Sequence, residues 1–139
     1  MKTLVFGSTA AKFWFPDFPR EPQDLDVMSQ EKISTKEFQT YHWPTFDILI
    51  ERNKDPKYLD PEGLLAIKMA HSRWPIHWNK TAGDILFFLK KGVKADPEIY
   101  KKLVKDFTVT HGKKWVSFKG KDSDTFFQDA VSRKFDHDS

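Results

Sequence analysis

Apolar positions along the chain follow two regimes. Up to residue 51 they come as short runs and alternations, and from residue 60 they recur at intervals of three and four. Thr3-Leu4-Val5-Phe6 is a short apolar run stopped by Gly7, the pattern of a buried strand ending in a glycine turn. Ser8-Thr9-Ala10-Ala11-Lys12 offers a hydroxyl cap and then helix formers, and Pro16 and Pro19 end that helix early. Arg20-Glu21-Pro22-Gln23 reads as a loop. Asp24, Leu25, Asp26, Val27 and Met28 alternate with period two, which predicts a second strand. Phe46-Asp47-Ile48-Leu49-Ile50-Glu51, entered after Pro44, is expected to be a strand of the same kind. Strand, glycine turn, helix, strand and strand make an α/β unit.

From Asp60 the spacing is helical. Asp60-Pro61-Glu62 opens a helix with proline in its first turn, and Leu64, Leu65, Ile67, Lys68 and His71 follow before Pro75 ends it. Lys80 to Lys91 is a second helix, with Ile85, Leu86, Phe88 and Leu89 as its apolar stripe and Gly92 as its C-terminal cap. Asp96-Pro97-Glu98 opens a third, running through Tyr100, Leu103 and Val104. Beyond His111, Trp115-Val116-Ser117-Phe118 suits a strand and Asp124 to Val131 a short helix. The pattern predicts an α/β (α+β) chain forming one domain overall. Its expected parts are an α/β core over 1–58, a helical part over 59–106 and a basic, aromatic segment over 107–139. Phe135-Asp136-His137-Asp138-Ser139 does not look like a packed ending.

Composition narrows the class. At 139 residues, with 31% charged and 39% hydrophobic residues, this is an ordinary folded chain and not a disordered one. It has no cysteine, which excludes disulfides, thiolate zinc sites and a cysteine nucleophile. No apolar run approaches the roughly 18–20 residues of a membrane span, so no membrane partner and a cytoplasmic location are expected. The net charge of +3 is unevenly spread: residues 90–121 carry ten Lys against Asp96, Glu98 and Asp106. That stretch suits either a phosphate-facing surface or a solvated helix face.

Three features of the first 51 residues combine into one chemistry. Gly7-Ser8 lies where a strand hands over to a helix, so backbone N–H groups and a hydroxyl face outward at a positive helix terminus, as phosphate binding requires. Asp24 and Asp26 are two apart on a predicted strand, so both carboxylates leave one face of the sheet, and like charges so placed call for a cation. Asp47 is expected beside them on the next strand, where an unpartnered carboxylate is costly to bury. Three carboxylates and a phosphate cradle suit Mg²⁺-dependent phosphoryl or nucleotidyl transfer.

Val5-Phe6-Gly7-Ser8-Thr9-Ala10-Ala11, Asp24-Leu25-Asp26-Val27 and Phe46-Asp47-Ile48-Leu49-Ile50 together resemble the core of the DNA-polymerase-β-like nucleotidyltransferase superfamily. The whole chain is similar to small nucleotidyltransferase-like proteins of bacteriophages. Those share the Asp-Leu-Asp strand, a Lys-x-x-His helix matching Lys68 and His71, and a basic, aromatic end near an Asp-His-Asp. The resemblance implies a small mixed sheet of the nucleotidyltransferase type with a helical C-terminal part, and a host cytoplasm as location. It implies that Gly7 and Ser8 contact the triphosphate of an NTP and that Asp24 and Asp26 bind Mg²⁺ (or Mn²⁺). Asp47 would bind one metal and help deprotonate an acceptor hydroxyl on a nucleic acid, a protein or a small molecule. The chain departs from the pattern in two ways. Sixteen positions separate Ser8 from Asp24, which makes Phe13-Trp14-Phe15-Pro16-Asp17-Phe18 an insertion, and Ala11-Lys12 stand where a second glycine or an arginine is often found.

The helical part adds Lys68, His71, His77, Lys80 and Asp84 around Trp74-Pro75-Ile76-His77-Trp78. In one reading Lys68 or Lys80 meets a phosphate while His71 assists the acceptor. In the other, Lys80 and Asp84 pair at i,i+4 and the aromatics are core. His71 and His77 straddle Pro75 and share no helix face, so they form no His-x-x-x-His metal pair. His111 with Lys113 and Lys114 suits either nucleic acid or a solvated loop. Two functions follow: a metal-dependent nucleotidyltransferase, or a catalytically inactive protein of that fold that binds nucleic acid or a host protein.

Overall fold

The computed structural model describes residues 3–22, 25–30, 39–71 and 78–111. The chain divides into two units, Met1–Leu64 and Leu65–Ser139. Its class is mixed α/β, with a three-stranded sheet and five helices among the described residues.

The first unit is built on β1 (Thr3–Phe6), β2 (Asp26–Ser29) and β3 (Gln39–Tyr41), in that spatial order. β1 and β2 run antiparallel with Phe6 opposite Asp26, and β2 and β3 run parallel with Asp26 opposite Gln39. Tyr58 extends the free side of β1 by a parallel bridge to Val5: Val5 N–H donates to the Lys57 carbonyl (2.8 Å) and Leu59 N–H to the Val5 carbonyl (2.9 Å).

Gly7 ends β1 and opens α1 (Gly7–Trp14) in the left-handed region, at φ +71. The helix stops before Pro16, as expected, with Phe15 N–H closing on the Ala11 carbonyl at 2.8 Å. The predicted aromatic insertion is anchored at both ends. Phe18 is fully buried, and the Trp14 indole N–H donates to the Leu59 carbonyl at 2.7 Å. Leu4, Phe6, Ala10, Ala11, Phe18, Val27 and Met28 form much of this unit's buried interior.

The segment 46–51 is not the expected strand. It belongs to α2 (Pro44–Arg52), a helix with proline in its first turn that packs on β2. Phe46, Leu49 and Ile50 are buried while Ile48 is 41% exposed, so burial follows the helical period and not the period of two. Asp47 therefore sits on a helix. β3, which the pattern did not predict, takes the place beside β2.

α3 (Pro61–His71) begins as expected. Asp60 caps it, its Oδ1 accepting from Gly63 N–H at 2.7 Å, and Gly63 is fixed as glycine because a Cβ there would meet Leu59 at 2.9 Å. In the second unit, α4 (Trp78–Lys90) ends in a Schellman turn. Gly92 takes φ +81, Val93 N–H reaches the Phe88 carbonyl and Gly92 N–H the Leu89 carbonyl, both at 3.1 Å. Asp96 caps α5 (Pro97–His111), its Oδ1 accepting from Glu98 N–H at 2.9 Å. Leu65, Met69, Ile85, Phe88, Tyr100 and Leu103 are fully buried. No described helix is long and apolar enough to cross a membrane. The strand and helix expected after His111 lie outside the described residues.

Candidate functional site

Gly7, Ser8 and Asp26 are brought together by strand pairing. Because Phe6 faces Asp26 across the β1–β2 ladder, the residue after Phe6 must turn into α1 beside the Asp26 side chain. A Cβ built on Gly7 would stand 2.5 Å from Asp26 Oδ2 and 3.3 Å from its Cγ. A side chain there would have to displace the end of Asp26, and φ +71 is a conformation that glycine takes far more readily than other residues. The first turn of α1 holds no acidic residue and its N-cap, Phe6, supplies no side-chain hydrogen bond. A half-buried carboxylate therefore lies beside a helix N-terminus whose N–H groups carry partial positive charge. This places a carboxylate oxygen beside the backbone N–H groups that open α1.

Asp24 lies outside the described residues. Asp47, in the first turn of α2, has its Oδ2 3.4 Å from His42 Nε2. Its other oxygen, Oδ1, is buried without a hydrogen-bond partner, although the side chain as a whole is 44% exposed. Beside it lies an open depression of about 420 Å³ lined by Asp47, Ile48, Glu51 and Arg52. Among the described residues no group of three His, Asp or Glu side chains is placed to hold a metal ion. Mg²⁺ does not require one. It is usually held by one or two carboxylates, with phosphate oxygens and water completing the shell.

In the second unit Lys68 is already engaged. Its Nζ lies 3.1 Å from Asp84 Oδ2, and the Asp84 side chain is only 2% exposed. Asp84 thus ties α4 to α3, while the Lys80 side chain, which the sequence offered to Asp84 at i,i+4, lies outside the described residues. His71 is half-buried in the last turn of α3, Lys80 lies in the first turn of α4, and His111 is the last residue of α5. His77, Lys113 and Lys114 lie outside the described residues.

One surface feature of the first unit was not visible in the sequence. The Phe13 and Tyr58 rings stack with centroids 4.0 Å apart and planes 12° from parallel. Forty-five positions separate them, so no local pattern could have signalled the contact.

A family model described as "Domain of unknown function (DUF7275)" matches residues 63–139, more than half of the chain. The matched stretch contains Lys68, His71, Lys80 and Asp84 and leaves out Gly7, Asp26 and Asp47. No curated protein matches the chain, and no solved structure does.

Proposed function

We propose that this chain, which belongs to the DUF7275 family of domains of unknown function, is a metal-dependent nucleotidyltransferase moving an NMP from an NTP to an acceptor hydroxyl. One observation carries this reading: the left-handed Gly7 at a strand–helix junction, with the Asp26 carboxylate lying where a Cβ would be. In this reading Gly7 and Ser8 hold triphosphate oxygens at the start of α1. Asp26 and Asp24 would hold Mg²⁺ or Mn²⁺, which when bound neutralises phosphate charge. Asp47 accepts the proton of the acceptor hydroxyl as its oxygen attacks the α-phosphorus. The bond to the β-phosphate breaks and pyrophosphate leaves. Lys68, offered by the sequence as a nucleotide contact, is engaged with Asp84 inside the second unit. Cytoplasm, in a phage-infected host or otherwise, supplies the NTP and the ion.

Incubation with α-labelled NTP and Mg²⁺ or Mn²⁺ is expected to transfer label to an acceptor, and Asp26→Asn is expected to abolish the transfer without losing the folding transition. Equal labelling by the variant and the wild type removes the proposal.

A second reading has its own observation: Asp47 sits on α2 near His42, not on a strand beside β2. That favours a protein of this fold that is catalytically inactive and binds nucleic acid or a host protein. Calorimetry with Mg²⁺ and a non-hydrolysable NTP separates the two. Heat of binding that Asp26→Asn removes supports the nucleotide site, and its absence supports the second reading.

A further inference from the structure

We propose that Phe13 and Tyr58 form a stacking platform for a base of single-stranded nucleic acid, with Lys54 and Lys57 meeting the neighbouring phosphates. This does not depend on nucleotidyl transfer.

Phe13 lies in the last turn of α1 and is 49% exposed, while Phe18 of the same aromatic run is fully buried. The Phe13 ring is held in place by its neighbours. Tyr58 lies parallel beneath it at 4.0 Å, and Trp14 stands edge-on at 5.0 Å with planes 81° apart. Both supports are themselves anchored: Trp14 by its bond to the Leu59 carbonyl, Tyr58 by its bridge to Val5. Tyr58 N–H also donates to Asp55 Oδ1, and its carbonyl accepts from Asn53 Nδ2, both at 2.8 Å. A flat ring held rigid at the surface presents a π-face at little entropic cost, and every base has a matching one.

The charge beside the platform favours a polyanion. Lys57 Nζ lies 5.4 Å from the centre of the Tyr58 ring, and Lys54 is exposed on the same loop. The one acid between them, Asp55, accepts from the N–H groups of Lys57 and Tyr58 at its Oδ1. Lys12, next to Phe13, is held by Glu21 at 3.2 Å and by the Phe18 carbonyl at 3.1 Å. An aromatic face flanked by lysines fits an unpaired base and its phosphates. It does not fit a duplex, whose base faces are covered by their neighbours.

Fluorescence anisotropy of the full chain with labelled twelve-nucleotide oligo(dT) and oligo(U), and with a twelve-base-pair duplex, tests this. Binding to either single strand more tightly than to the duplex is expected, and the preferred strand tells DNA from RNA. Phe13→Ala should weaken single-strand binding about ten-fold or more, whereas Phe13→Tyr should keep it. Phe13→Leu, which retains an apolar side chain but no flat face, should bind like the alanine variant and guards against a folding defect. Lys54→Ala and Lys57→Ala should each lower the slope of log K against log salt by about 0.7. Wild-type affinity in Phe13→Leu, equal binding of single strand and duplex, or binding of neither single strand overturns the proposal.

Discussion

The two units differ in how deeply their notable carboxylates lie. In the second, Asp84 is buried and matched inside the fold by Lys68, so that charge is spent on holding α3 to α4. In the first, the notable polar groups stand at the ends of secondary structure and fix local backbone. Asp26 lies against Gly7, and Asn53 and Asp55 brace the loop that carries Tyr58. The difference teaches where chemistry is available. A buried ion pair serves architecture, whereas carboxylates and rings at strand and helix ends remain within reach of a ligand.

The largest expected effect tests the architectural side. Lys68→Met removes a cation 3.1 Å from the buried Asp84 carboxylate and should cost about 3–5 kcal/mol in urea denaturation. Adding Asp84→Leu should recover most of that loss, because an apolar pair of similar size needs no counter-charge. If Lys68→Met is nearly neutral, the contrast between the units fails. Gly7→Ala should cost about 1–3 kcal/mol, from a left-handed backbone and a Cβ pressed on Asp26 Oδ2. Asp26→Ala in that background should relieve the contact but not the backbone strain, so partial recovery of the thermal midpoint is expected. Full recovery would show that the conformation of Gly7 does not matter. Asn53→Ala, which removes bonds to the Asp55 and Tyr58 carbonyls and from Asp60 N–H, should cost about 1–2 kcal/mol by the same measurement.

What was legible in the sequence was what is local. Asp60-Pro61-Glu62, Gly92 and Asp96-Pro97-Glu98 announce helix ends because caps are made within four residues, and all three behave as read. The glycine turn at Gly7 and a strand holding Asp26 were legible from local pattern, whereas the pairing that sets Phe6 opposite Asp26 was not. The hexapeptide Phe46 to Glu51 misleads because its apolar residues satisfy both periods. The deciding signal is Pro44, which suits the first turn of a helix. The partner of Asp84 and the ring beneath Phe13 were not legible, since each is settled by tertiary packing between distant positions.

The smallest expected effect concerns Asp55 and is diagnostic through its pH dependence. The hydrogen bonds from Tyr58 and Lys57 N–H stabilise the Asp55 carboxylate and hold its pKa below the ordinary 3.8. A carboxyl depressed in the folded state adds stability that is present above its unfolded pKa and is lost as pH falls through the folded one. Wild type and Asp55→Ala should therefore differ in urea midpoint at about pH 5 and converge as pH drops toward about 2. A constant offset across that range would mean that the loop is held by its shape and not by the carboxylate charge. Because the same loop presents Tyr58 and Lys57, convergence has a second consequence. In Asp55→Ala at neutral pH, single-strand affinity should fall even though a surface anion beside Lys54 and Lys57 is removed, so the loss reports the rigidity of the platform against the change in charge.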